Sequence, residues 1–334
     1  MSEDADNSAR GSVHAGDPTR VAIACQGGGS HTAFTAGVLK GLLREWNEDR
    51  RELVGISGTS GGAFNALAAW YGLVTDGPGR AIELLDGLWN DLAANTPVDR
   101  LTNDWLVGLS RIESSGVPLP RVSPYQNPGA AWGQNQIERT LRRHIDFDSI
   151  PTLCEREAPR LVVGTVNVNA GEFEMFIDED VTPEAILASA AVPNLFEAVE
   201  LHGHLHWDGL FSQNPPIDDL MDGGADRKPD ELWVIQVNPQ EREGEPTSLE
   251  EIADRRNELS GNLSLNQELR FIERVNEWID AGHLPETHFS KTAIRRVEMG
   301  RAYHCSTKFD RNPAFIAELM ELGERRAPEL RQPR

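Results

Sequence analysis

The residues most able to do chemistry lie in Gly58-Thr59-Ser60-Gly61-Gly62, between the apolar run Leu53–Ile56 and an Ala-rich stretch from Ala63 to Leu73. The first flank reads as a short buried strand and the second as a helix. In that setting, Gly-x-Ser-x-Gly is the turn that presents a serine nucleophile. Glycines on both sides let the strand fold back onto the helix while the serine takes a strained backbone conformation. Ser60 would then stand clear of the sheet, at the positive end of a helix. The same five residues also describe a glycine-rich turn with no chemistry, so the rest of the chain must decide.

A second glycine turn lies upstream. Arg20–Cys25 reads as a strand, Gln26-Gly27-Gly28-Gly29-Ser30-His31 as a turn, and Thr32–Trp46 as a helix. Backbone N–H groups ahead of a helix form an anion site. The spacing lacks the Gly-x-Gly-x-x-Gly of a dinucleotide loop and the Gly-Lys-Ser/Thr of a P-loop. An oxyanion hole needs only backbone donors near a nucleophile, and it fits better. Gly27, Gly28 and Gly29 are the expected donors.

A serine needs a group to take its proton. His283, His288 and His304 do not sit in evident strand-end loops after an acid. His202, His204 and His206 alternate, but a hairpin turn at Gly203 separates them, and they read first as a solvated edge strand rather than a metal site. Asp208, at a strand end and followed by Gly209, could reach the elbow without a histidine between. A lone carboxylate is a weak base for serine unless it is buried and close.

The elements that must position these groups begin with a βαβα pattern, which predicts a parallel sheet covered by helices. Ile82–Leu92 reads as a helix. Asn103–Gly133, rich in Gly, Pro and Ser with Trp105, Tyr125 and Trp132, reads as an irregular lid or insertion. Gln136–Ile145 reads as a basic amphipathic helix. Arg160–Val168 is a buried strand that turns at 169–172 into Phe173–Ile177. A helix from Thr182 to Ala191 stops at Pro193, a hairpin follows over Ala198–Trp207, and Glu231–Val237 is the last evident core strand. Leu249–Ile279 is helical with an expected bend near Gly261, and a final helix covers about 313–325. The expected organisation is a tail over 1–18, a catalytic domain over 19–240 and a helical extension over 241–334 packed on it.

The net charge is −21 over 334 residues. Such a surface repels nucleic acid and anionic bilayers at long range. Only four lysines occur, which suits either a high-salt setting or an Arg-biased genome. Three dispersed cysteines make neither a disulfide framework nor a zinc pattern. Without a signal-like N-terminus or a long apolar run, the expected location is cytoplasmic.

Taken together, the blocks resemble the patatin-like phospholipase family. Gln26-Gly-Gly-Gly-Ser-His-Thr with Gly37-Val-Leu39 is similar to its oxyanion loop and helix, and Gly58–Gly62 to its nucleophile elbow. Ala188-Ser-Ala-Ala-Val-Pro193-Asn-Leu-Phe196 resembles the segment packed beside the active site. Asp208-Gly209-Leu210, with Asn214-Pro-Pro216, resembles the block that carries the dyad acid. His31 and Thr32 stand where the family loop usually has Arg and Gly. The resemblance implies a three-layer α/β/α sandwich with a mostly parallel sheet. It also implies a serine acyl hydrolase of lipid esters, with a Ser60–Asp208 dyad, oxyanion donors at Gly27–Gly29, supporting residues Gly58, Gly62, Pro193 and Gly209, and no metal or cofactor. The expected partner is a lipid or acyl ester, with the apolar part of 103–133 as a membrane contact. The competing expectation is a catalytically silent binding or regulatory protein of the same fold.

Overall fold

The computed structural model describes residues 17–117, 119, 122–156, 158–222 and 227–332. Nearly all of the expected N-terminal tail therefore lies outside the described residues.

The strands are β1 (Thr19–Cys25), β2 (Arg51–Gly58), β3 (Arg160–Asn167), β4 (Glu172–Ile177), β5 (Val199–Leu201), β6 (His204–Asp208), β7 (Glu231–Gln236) and β8 (Ala293–Glu298). The helices are α1 (Ala33–Leu43), α2 (Gly61–Asp76), α3 (Pro78–Leu92), α4 (Pro97–Ser114), α5 (Pro128–His144), α6 (Ile150–Cys154), α7 (Pro183–Ser189), α8 (Asp218–Met221), α9 (Leu249–Asp280) and α10 (Pro313–Arg326). The sheet runs β5-β6-β3-β2-β1-β7-β8, with β4 paired to β3. From β3 to β8 the pairings along this path are parallel. Those joining β3 to β4 and β6, and β5 to β6, are antiparallel.

Both faces of the central strands are buried, so β1 reads as a continuous apolar run instead of an alternation. Val21, Ile23 and Cys25 join one core, with Leu39 of α1, Leu67 of α2 and Leu85 of α3. Ala22 and Ala24 join the other, with Leu265, Leu269 and Ile272 of α9. This is an α/β/α sandwich. The segment after residue 240 is part of its architecture: α9 covers the second face, β8 extends the sheet, and α10 packs on α1. The α1–α10 crossing is close enough that a Cβ on Gly37 would lie 1.9 Å from the Met320 carbonyl.

Three expectations change. The stretch 103–133 is largely helical: α4 starts at a capping box on Thr96 and Asp99, and α5 starts at Asn127 with Pro128 in its first turn. Its Gly and Ser residues lie in or beside helices, so composition misled where cap chemistry was informative. Second, α9 is continuous through Gly261. Glycine is needed there for approach, because a Cβ would lie 3.1 Å from the Asn214 side chain. Third, the histidine hairpin is not simply solvated. His206 is fully buried, with Nε2 2.8 Å from Glu174 Oε2, while His202 reaches the same carboxylate at 3.3 Å from the turn.

Candidate active site

The site forms where two strands end on the same edge of β3. With β4 along the opposite edge, β2 pairs with β3 as far as Gly58 opposite Val163. Beyond that point β6 takes over the vacated edge, running the other way, with Asp208 opposite Thr165. The C-terminal ends of β2 and β6 thus face each other across about one residue of β3. Ser60 follows one end and Asp208 closes the other. Close packing explains the glycines: a Cβ on Gly58 would lie 2.4 Å from the Gly62 carbonyl, and one on Gly209 2.7 Å from the Gly164 carbonyl.

Ser60 has φ 56 and ψ −129, a conformation that costs a non-glycine residue on the order of 1–3 kcal/mol and persists only when its surroundings over-determine it. They do. The Ser60 N–H donates to Ser189 Oγ at 2.9 Å, and Ser189 Oγ donates to the Gly164 carbonyl at 2.7 Å. Thr59 Oγ1 donates to the Gln213 carbonyl at 2.8 Å. Ser189 lies at the end of α7, just ahead of Pro193. The chain between them returns to the site through the Asp208 N–H, which donates to the Ala191 carbonyl.

Asp208 is wholly buried. Its Oδ1 accepts the Leu210 N–H at 2.8 Å, while Oδ2 is buried without a well-formed hydrogen bond. Burial pushes the carboxyl up to about 7, against the pull of the Ser60 hydroxyl and the Leu210 N–H. A carboxyl that ionises near neutrality, beside a strained serine, has the properties of a general base.

The Gly27–Gly29 loop lies against the elbow: a Cβ on Gly27 would come 2.9 Å from Ser60 Cβ. Its three N–H groups are not equivalent. Gly27 donates to Asn214 Oδ1 at 2.6 Å, and the Gly27 carbonyl accepts from Asn238 Nδ2 at 2.8 Å. Among the described residues, the N–H groups of Gly28, Gly29 and Gly61 find no acceptor. Gln26 fixes the base of the loop, accepting the N–H groups of Val237 and Asn238 and donating to Asn262 of α9 at 2.8 Å. Gly61, the residue after the nucleophile, was identifiable from its position alone. Asn214 was visible only as part of a motif. Asn262 left no signal, since nothing in a helical stretch marks one polar residue as facing a loop.

His31 occupies the loop's outer turn, 2% exposed, with Nε2 2.7 Å from Thr307 Oγ1. Burial, and then the nearby Lys308 ammonium, push it down to about 3, so it is neutral across ordinary pH. Lys308 belongs to an ion cluster with Asp254 and Glu258, which Arg242 also bridges. The Lys308 carbonyl would lie 2.3 Å from a Cβ on Gly29. The turn 305–309 is therefore a floor under the glycine loop.

A strained serine, a buried carboxyl and a glycine loop thus meet at one place, and sequence comparison supplies the family. The chain belongs to the patatin-like phospholipase family, whose model matches residues 23–221. Among solved structures it is similar to VipD from Legionella pneumophila, with 14% identity and a TM-score of 0.48, covering 94% of this chain and 66% of that one. It is also similar to ExoU in its complex with SpcU from the type III secretion system of Pseudomonas aeruginosa, with 14% identity and a TM-score of 0.33, covering 95% and 52%. The chain thus spans just under two thirds of the first and about half of the second. No match was found among curated protein sequences.

Proposed function

We propose that the protein is a serine acyl hydrolase that cleaves carboxylic ester bonds of lipids. The observation that carries this reading is the strained Ser60 beside the buried, nearly neutral-pKa Asp208. As Ser60 Oγ attacks the ester carbonyl, its proton passes to Asp208. The tetrahedral oxyanion is stabilised by backbone N–H groups of the glycine loop, with Gly28 and Gly29 as the unpaired donors, Gly61 as a third, and Gly27 as the anchor to Asn214. Each such donor is worth roughly 2.7–4 kcal/mol in characterised oxyanion holes. The proton then goes to the departing alcohol. Asp208, ionised again, takes a proton from water as that water attacks the acyl-enzyme, and returns it to Ser60 Oγ as the Ser60–acyl bond breaks and the carboxylic acid leaves. Nothing in this sequence calls for a histidine. His202 and His206 face Glu174 on the hairpin side.

The test is turnover of p-nitrophenyl esters by purified wild type, Ser60→Ala and Asp208→Ala. Loss of activity in both variants, with fold retained, supports the dyad. Undiminished turnover in either overturns it. An inactive wild type that still binds lipid would favour the silent-protein reading.

A further inference from the structure

The described part of 103–133 and its neighbours differ from the rest of the molecule in charge and in exposed apolar side chains. From Trp105 to Ile137 the only charged residues are Arg111, Glu113 and Arg121, within a chain whose net charge is −21. That stretch exposes large apolar and aromatic side chains. Trp105 is 62% exposed and Leu106 48% on α4, Tyr125 is 60% exposed, and Trp132 is 55% exposed on α5. Leu101, one turn before Trp105, is 73% exposed. Single exposed apolar residues need no explanation, but this many large ones on α4, the turn at 124–126 and α5 point to an interaction surface.

The face borders the catalytic site on two sides. On one, α4 is tied to the turn under the glycine loop by Asn103 Nδ2 donating to Asp310 Oδ1 at 2.9 Å. On the other, the Tyr125 hydroxyl accepts the Ala198 N–H at 3.1 Å, and Gln134 Nε2 donates to the Glu197 carbonyl at 3.0 Å. Those residues lie in the segment between Ser189 and Asp208. Next to the site itself, Phe211, one turn past Asp208, is 37% exposed.

We propose that this face docks the protein on an electroneutral lipid surface and places the Ser60 mouth against it. The argument for that occupant is charge. The acidic body is repelled by an anionic surface over a Debye length, whereas the three charges of this stretch sum to only +1, beside the exposed Asp104, too little to overcome that repulsion. Amphipathic aromatic side chains favour the level of lipid headgroups, and a helix such as α4 can lie in that plane. Among the described residues no helix is long and apolar enough to cross a membrane. The proposal rests on the lipid hydrolase reading for its purpose, but its test does not.

The test is flotation of Ser60→Ala protein with phosphatidylcholine vesicles and with equal mixtures of phosphatidylcholine and phosphatidylglycerol. Using the Ser60→Ala background separates docking from catalysis, so an inactive enzyme would not sink this proposal. The expected result is flotation with phosphatidylcholine, weaker flotation with the mixture at low salt, and partial recovery of the latter as salt is added. Adding Trp105→Glu and Trp132→Glu should cut binding roughly tenfold or more. Phe271→Glu, an exposed site elsewhere on α9, should not change it. Thermal melting verifies that the variants fold. No flotation with either vesicle, a preference for the anionic mixture, or binding unaffected by the tryptophan changes would overturn the proposal. So would a concentration-dependent doubling of mass in light scattering that the same changes abolish, because the face would then pair with a second copy.

Discussion

Ser60 and Asp208 come together because the strands that carry them, β2 and β6, end facing each other on one edge of β3. The separation in sequence is long, but the register leaves about one residue of β3 between Gly58 and Asp208. Each residue is held in place, Ser60 by Ser189 and Asp208 by the Leu210 N–H.

The strain at Ser60 is measurable. Glycine adopts positive φ without penalty. Ser60→Gly and Ser60→Ala should both lose ester hydrolysis, but the glycine variant should be the more stable by about 1 kcal/mol, the low end for such backbone strain. Chemical denaturation of the two variants checks this; equal stabilities would show that the elbow is relaxed.

Asp208 makes stability depend on pH in an unusual direction. Its carboxyl is raised from 3.8 to about 7. Between those values the native state holds a proton that the unfolded chain has released, so wild-type stability falls as pH rises through that window. The full effect is about 4 kcal/mol, as an upper bound. Asp208→Asn lacks it, so its advantage over wild type should be small near pH 4, grow towards pH 7 and level off above. Catalysis runs the opposite way: kcat/KM of the wild type should rise through about pH 7 as the base ionises. Melting curves and rate profiles over pH 4–9 test both.

Asn214 should act as a positioning residue. Its Oδ1 holds the Gly27 N–H and its carbonyl accepts from Gln26 Nε2 at 3.2 Å. Asn214→Ala should lower kcat by about tenfold or more with little change in KM, since a loosened loop weakens transition-state contacts more than substrate binding. A fall in melting temperature with kcat unchanged would assign Asn214 a purely structural role.

His31 stands where the family loop usually carries arginine, and its surroundings reject a cation. His31→Arg would place a second positive charge beside Lys308 in a site that is 2% exposed. Burying an unpaired charge of this kind costs several kcal/mol. Thermal melting should show a large loss for His31→Arg and near-wild-type behaviour for His31→Gln, which can still reach Thr307.

Much of this was legible in the sequence, for identifiable reasons. Short apolar runs ending in glycine marked β1, β2 and the two turns, because buried parallel strands need apolar residues on both faces and the turns need absent side chains. Asp208 was identifiable as a strand-end acid, although its pairing with Ser60 needed the family resemblance. What escaped notice depended on tertiary contact. The strand β8 is polar and charged (Ala-Ile-Arg-Arg-Val-Glu) because it is an edge strand. The role of Gly261 came from the approach of Asn214, which no local pattern encodes. The helix α4 and the first half of α5 hid in a composition typical of loops, while the second half of α5 was read as the helix at 136–145.

Whether Ser60 is the nucleophile is read by a fluorophosphonate probe with intact mass and peptide mapping. One covalent adduct should form, on Ser60, absent from Ser60→Ala and slowed in Asp208→Asn. Ester hydrolysis by an unlabelled wild type, or an adduct on another residue with Ser60 untouched, would contradict it.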